Sequence, residues 1–302
     1  RNRSKNFKKL ISNKEKPLFN RALSGLYPPG SIFKLLNGLI ALEENIVDKN
    51  KLYSCINGFE YEKNKFIGCH PHKSYTNLEQ AIAISCNTYF CKAFSETFKK
   101  FNTTKESYNV WRNHIKSFGV GEWMNNDFVS GDNGHLPKHD YYNKYYGRTS
   151  WNSSTIISIA IGQGELLLTP IQMANIASII ANRGFYFTPH IIKSIEGEEN
   201  IDSSFTVKKF TTISQKNYDI IIEGMERVIK DNNGTAHNIK SDDIIICGKT
   251  GTAQNPHGED HSIFIAFAPK EDPKIALAVY VENGGWGSKW AAPIASLIIK
   301  KY

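Results

Sequence analysis

The chain has 302 residues, of which 40% are hydrophobic and 12% aromatic, with a formal net charge of +8. That length and apolar content can build one large domain or two modest ones around a substantial core, and they exclude wholesale disorder. No apolar run approaches the roughly 20 residues that span a bilayer, no signal-peptide pattern opens the chain, and the lysines lack the basic–aromatic interleaving of a nucleic-acid binder. The charge reads as a solvated basic surface with a mild attraction for anionic polymers or membrane surfaces.

Taken in chain order, Arg1 to Lys16 is a basic polar arm or the cut end of a longer chain, so the missing targeting segment says little about the intact protein. Pro17 to Leu23 is a short apolar run that could be a strand. Tyr27-Pro28-Pro29-Gly30 is a rigid turn, and the spacing of Leu35, Leu36, Leu39, Ile40 and Ala41 predicts a helix from about Ser31 to Glu44. Cys55 to Tyr75 is rich in Gly, Asn, Lys and His and reads as irregular. Asn77 caps an apolar segment through Ile84, and a second helix is expected from Thr88 to Lys99. Gly121 to Arg148 is a long polar and aromatic loop with Gly131-Asp132-Asn133-Gly134 as turn chemistry. Thr169 as N-cap and Pro170 at the first helical position start a helix that ends at Asn182-Arg183-Gly184. Ser214 to Lys230 reads as another, and Trp290 to Lys301 as a closing one. Asp243 to Cys247, Ile263 to Ala268 and Lys274 to Val281 are expected strands.

Ser31-Ile32-Phe33-Lys34 is the chain's one Ser-x-x-Lys, with a hydroxyl and an amine one helical turn apart. Serine needs a base to become a nucleophile, and Lys34 can serve if burial or neighbouring charge makes it neutral. A serine at a helix start also faces free backbone N–H groups that favour developing negative charge. Far downstream, Lys249-Thr250-Gly251-Thr252 offers a cation and a hydroxyl for a carboxylate. Gly251 clears space for a substrate backbone to add alongside the strand, and the Thr252 N–H could complete an oxyanion hole with that of Ser31. Between them, three Ser-x-Asn tripeptides could relay protons and hold a substrate amide: Ser85-Cys86-Asn87, Ser107-Tyr108-Asn109 and Ser150-Trp151-Asn152. The first is preferred, because a short turn between two helices could aim it into a cleft.

These three elements in this order are the signature of penicillin-binding proteins and class A β-lactamases. The flanks Leu18-Phe19-Asn20-Arg21-Ala22, Tyr27 to Lys34, Ile161-Gly162-Gln163-Gly164, Thr169 to Ala174, Ala181 to Gly184 with Pro189-His190, and Gly248 to Gln254 resemble the transpeptidase domain of class B penicillin-binding proteins. Val281-Glu282-Asn283-Gly284-Gly285 and Ala291-Ala292-Pro293 are most similar to the penicillin-binding protein 2 branch, which serves cell elongation.

The resemblance implies an α/β penicillin-binding, serine β-lactamase-like fold: a central antiparallel sheet flanked by helices, with an all-helical subdomain forming the cleft. It implies one domain over 1–302, with 1–34 and about 165–302 as the α/β lobe and about 35–165 as the mostly helical lobe. It implies a D,D-transpeptidase, with Ser31, Lys34, Ser85, Asn87 and Lys249 catalytic, and Thr250, Gly251 and Thr252 binding substrate. Its expected partners are peptidoglycan stem peptides, β-lactams and a membrane-embedded glycosyltransferase. Its expected place is the periplasmic face of the inner membrane, held by an N-terminal anchor that, like the family's pedestal domain, is not in this sequence. No cofactor is needed for catalysis. The alternatives are a D,D-carboxypeptidase, a β-lactamase, for which Glu122-Trp123-Met124-Asn125-Asn126 mimics the spacing of a deacylating Glu and Asn, and a β-lactam sensor.

Cys55, Cys69, His72 and Cys86, spaced C-x13-C-x2-H-x13-C, suit a tetrahedral structural Zn²⁺. His70 competes with His72, and Cys91 with Cys86. A Cys55–Cys69 disulfide or buried thiols are the other readings. Cys247 reads as core.

Overall fold

A computed structural model describes residues 2–128, 130–148, 150–197 and 201–302. Arg1 of the basic arm and Val129 of the long polar loop lie outside the described residues.

The basic arm forms helix α1 (Arg3–Ile11), which buries none of its residues. The expected strand at 17–23 is absent. Asn20 instead accepts from the Leu23 N–H and caps a one-turn helix, α2 (Arg21–Ser24). After the Tyr27 to Gly30 turn, a 3₁₀ turn (Gly30–Phe33) runs into α3 (Lys34–Glu43), and every residue from Lys34 to Leu42 is buried.

The stretch read as irregular forms two small antiparallel pairs together with the residues that flank it. β1 (Tyr53–Ser54) pairs with β4 (Tyr75–Thr76), and β2 (Gly58–Glu62) with β3 (Lys65–Gly68). β2 alternates aromatic and charged residues over Phe59-Glu60-Tyr61-Glu62, a strand signal that is legible in the sequence, whereas β3 does not alternate. Asn77 then caps α4 (Leu78–Ala83) in a capping box with Gln80. Cys86 caps α5 (Asn87–Lys99) through its sulfur, which accepts from the Tyr89 N–H. Two further helices went unread in the sequence. α6 (Thr104–Ser117) carries a signal in Thr103, whose hydroxyl accepts from the Glu106 N–H. α7 (His139–Tyr146) lies within the long polar loop and buries only Tyr142.

Thr169 and Gln172 form the capping box of α8 (Pro170–Ala181), with proline in its first turn. A minimal pair, β5 (Phe185–Tyr186) with β6 (Lys209–Phe210), precedes α9 (Lys216–Lys230). The main sheet is antiparallel, in the order β7 (Cys247–Ala253), β8 (His261–Ala268), β9 (Ile275–Val281). α8 and the closing α10 (Ala291–Lys301) pack on β8 and β9, and α9 packs on β7 and α4.

The first strand is shifted from its expected place. The apolar run 243–246 stays outside the sheet, and Cys247 to Ala253 pair residue by residue with Phe267 to His261. Pairing with β8, apolar from Ile263 to Ala268, outweighs the local run, so a strand of small and polar residues is buried at every position but Thr252. The Lys249 to Thr252 segment therefore lies within the strand.

Candidate active site

The 3₁₀ turn bearing Ser31 lies against β7. The Gly30 N–H donates to Gly162 O at 2.8 Å, and Gly30 has φ +56°. A Cβ on Gly30 would stand 2.7 Å from Thr252 O, so both conformation and contact require glycine. Gly251 serves the same approach. A Cβ there would meet Ile32 and Pro29 O at 3.2 Å, so its bareness seats the serine turn on the strand. That is a different reason from the clearance for substrate expected of it. Among the described residues β7 is an edge strand, with β8 on one side only. On the other, Gln163 Nε2 donates to Thr252 O at 3.3 Å.

Lys34 is fully buried, and its Nζ donates to Ser85 O at 2.8 Å, Ser85 Oγ at 3.1 Å and Asn87 Oδ1 at 2.5 Å. Burial lowers its pKa to about 8, although the thiols of Cys86, Cys69 and Cys91 favour the charged form. Ser85 ends α4 in the left-handed region at φ +57°, a conformation that non-glycine residues rarely hold and that is often found at functional turns. Lys249 is also fully buried, its Nζ donating to Thr250 O at 3.1 Å. Its pKa is held well below the ordinary lysine value, first by burial and then by the nearby charge of Lys34. Thr250 Oγ1 meets Thr235 Oγ1 at 2.7 Å.

Ser31, Ser85, Asn87, Thr250, Gly251 and Thr252 all line one cavity of about 450 Å³, with Lys34 and Lys249 beneath it. The cavity wall also includes His70, Gln163, Thr235, Asp260 and Trp286, to which the sequence reading gave no role here. Gln163 lies in the Ile161 to Gly164 flank that resembles the family, and Trp286 interrupts a glycine-rich run. Thr235 and Asp260 carry no local signal. The other two Ser-x-Asn tripeptides are not on the wall: Ser107 Oγ donates to Phe98 O at 2.9 Å inside the helical packing, and Trp151 is buried. Glu122 is also off the wall and pairs with Lys116.

The structure brings Cys55, Cys69, His72 and Cys86 together, with their ligand atoms all within 4.8 Å of one another. All five cysteines are free, so Cys55 and Cys69 form no disulfide. Cys91 lies outside the cluster, and His70 points to the cavity, its ring 5.3 Å from that of Trp286. Cys69 Sγ is 3.8 Å from Cys86 Sγ and 3.3 Å from His72 Nε2. His72 Nδ1 is 2.6 Å from Lys73 O, and a carbonyl can only accept, so Nδ1 carries the proton and Nε2 offers its lone pair to the cluster. The Cys69 pKa is drawn down to about 4, first by the Cys86 thiol, against burial, and then by Thr88, His72 and Asn87. The Asn87 N–H donates to Cys69 Sγ at 3.2 Å, and Asn87 Nδ2 to Gly68 O at 2.7 Å. The cluster thus adjoins the cleft through one shared turn. Cys247 is buried on β7.

A family model described as the penicillin binding protein transpeptidase domain matches residues 1–300. The peptidoglycan D,D-transpeptidase MrdA of Haemophilus influenzae is 28% identical, over 99% of this chain and 48% of the relative. That of Acinetobacter baumannii is 30% identical, over 95% of this chain and 44% of the relative. The crystal structure of Pseudomonas aeruginosa PBP2 in complex with WCK 5153 superposes with a TM-score of 0.85 at 29% identity, covering 98% of this chain and 66% of that one. The chain spans about half the length of the curated relatives it matches.

Proposed function

The chain belongs to the penicillin binding protein transpeptidase domain family, and from that premise we propose that it is the acyl-transfer domain of a peptidoglycan D,D-transpeptidase of the penicillin-binding protein 2 branch, serving cell elongation and rod shape. The observation that carries the reading is the buried Lys34 amine, bonded to both Ser85 and Asn87 beneath the cavity lined by Ser31 and β7.

In this mechanism neutral Lys34 takes the Ser31 proton as Oγ attacks the penultimate D-alanine carbonyl of a stem peptide. The backbone N–H groups of Ser31 and Thr252 receive the oxyanion, while Lys249 and Thr250 hold the terminal carboxylate and Asn87 the substrate amide. As the C–N bond breaks, Ser85, bonded to Lys34, passes the proton to the departing D-alanine amine. An amine of a second stem then gives up a proton along the same route and takes the acyl group, freeing Ser31. A penicillin acylates the same serine, but its leaving group stays tethered. Glu122 is paired with Lys116 away from the cavity, which weakens the β-lactamase alternative. A D,D-carboxypeptidase would use the same residues with water as acceptor. By family resemblance the domain works at the periplasmic face of the inner membrane, beside a glycosyltransferase embedded there.

The cysteine–histidine cluster suits a closed structural Zn²⁺ site. Tetrahedral Zn–S bonds of about 2.3 Å imply sulfurs about 3.8 Å apart, and Cys69 and Cys86 have that separation. Three thiols and one oriented imidazole complete the set, which would brace the Ser85 to Asn87 turn. Metal analysis of protein purified without chelator is expected to return one zinc per chain, and protein without zinc refutes the site.

The function is tested by mass spectrometry after labelling with a fluorescent penicillin. One stable adduct on Ser31, lost in Ser31→Ala, is expected. The absence of an adduct would overturn the acyl-enzyme mechanism, and turnover within seconds would favour a β-lactamase.

A further inference from the structure

Among the described residues, Asp260 is the one carboxylate on the wall of the cavity that holds Ser31. It is half-buried, and Oδ1 accepts only a long bond from the Asn255 N–H, at 3.3 Å. No lysine or arginine pairs with it among the described residues. Beside it Trp286 leaves 58% of its surface exposed, and His70 reaches toward that ring from the opposite side of the cleft. A second cavity continues outward past Asp260 and Trp286, so the groove does not end at the serine.

The direction in which a substrate lies follows from the roles proposed above. If the terminal carboxylate is at Lys249 and Thr250 and the reacting carbonyl at Thr252, the peptide runs antiparallel to β7. Its preceding residues then move toward the C-terminal end of that strand. Ala253 pairs with His261, which places Asp260 just beyond the strand end, next to Gln254. At about 3.3 Å per residue, that is roughly two steps past Thr252. Asp260 lies on the β8 side of β7, so a substrate on the free edge reaches it with a long side chain that passes over the strand end, along the cavity wall that Thr252, Gln254 and Asp260 share.

We infer that Asp260 and Trp286 form a subsite for the side chain of the stem-peptide residue that precedes the acylated D-alanine, and that this side chain ends in a free ammonium group. The indole covers its methylene stem and the carboxylate takes its charge. The two ends of the groove then discriminate by sign. The donor's carboxylate is drawn to the buried lysine end and its ammonium to Asp260, so a reversed donor meets like charge at both ends.

The inference rests on the transpeptidase reading, and its test separates the two. D-alanine release is measured with two donors, Nα-acetyl-L-lysyl-D-alanyl-D-alanine and its Nε-acetylated counterpart, on the wild-type chain and on Asp260→Asn. Asparagine keeps an oxygen for the Asn255 N–H. The ratio of kcat/KM between donors is internal to each protein, so a general loss of fold or activity cancels. The wild type is expected to prefer the free amine about tenfold, mainly through KM, and Asp260→Asn to bring the ratio within twofold of one. A wild-type ratio near one, or a tenfold ratio that survives in Asp260→Asn, overturns the subsite while penicillin still labels Ser31. Failure of penicillin to label Ser31 in the wild type removes the transpeptidase reading, and the subsite with it.

Discussion

The two walls of the cleft are held in place by different physics. On one, the Ser31 turn and α3 are seated by apolar burial: Ile32, Phe33, Leu35, Leu36 and Leu39 expose nothing, and the turn lies flush on a strand whose far neighbour is the apolar β8. On the other, the Ser85 to Asn87 turn has a strained serine, and it is tied to the β2–β3 pair through a thiol and one carbonyl. That pair is mostly exposed. The nucleophile's wall stands on the core throughout, whereas in the wall that relays protons α4 and α5 are in the core but the outer side of the turn between them is held by a few polar and sulfur contacts to an exposed hairpin. Such contacts open locally at lower free energy than a core strand does.

The largest expected effect comes from the group that joins the walls. Lys34→Met should slow acylation by penicillin about a thousandfold, read as the second-order rate of adduct formation on Ser31. A loss under tenfold would mean that another base serves. Next is pH. The pKa of Lys34 is lowered to about 8, so its neutral, proton-accepting form grows as pH rises toward that value. Acylation should climb about tenfold per pH unit between 6 and 7.5 and level off above about 8. A profile flat across this range would detach the rate from Lys34.

Cys69→Ser attacks the weaker wall alone. Acylation is expected to fall by about ten- to a hundredfold, and limited proteolysis to cut within 53–76 while the 247–281 sheet stays protected. Equal loss of protection on both sides would break the comparison. The smallest effect is in the strong wall's support. Lys270 bonds Glu226 at 2.6 Å and also pairs with Glu223, and the Lys270 and Glu226 side chains are nearly covered. Lys270→Met should cost about 2 kcal/mol in denaturant unfolding, below the roughly 3–5 kcal/mol of a fully buried broken pair because Lys230 still reaches Glu226. Acylation by the folded fraction should stay within twofold of wild type, and a larger fall would link this ion pair to the cleft.

Several features were legible because their cause is local. The caps at Asn77 and Thr169, the apolar face after Ser31 and the closing helix each follow from residues within a turn or two of one another. The Ser31–Lys34 pair and the Lys249 to Thr252 segment were legible as chemistry, because hydroxyl, amine and glycine at those spacings suit few reactions. The preference for Ser85-Cys86-Asn87 over the two other tripeptides came from its position between helices, and it is the one of the three on the cavity wall. The four expected ligands also converge, although their spacing alone left His70 and Cys91 in contention.

What the sequence determined by itself was therefore the inventory: which helices start where, which side chains could do acyl transfer, and which soft ligands were at hand. The tertiary structure alone decided their arrangement. It moved the first strand of the sheet from the apolar run to the small, polar Cys247 to Ala253, because pairing with β8 buries more than the run could by itself. It turned Gly251 into the seat of the serine turn, and it brought Asp260 and Thr235 to the cavity from loops with no local signature. Local signals report a residue's own backbone preferences. The neighbours that lower a lysine's pKa, or leave a carboxylate facing a cleft, come from segments tens to hundreds of residues away, and only folding brings them together.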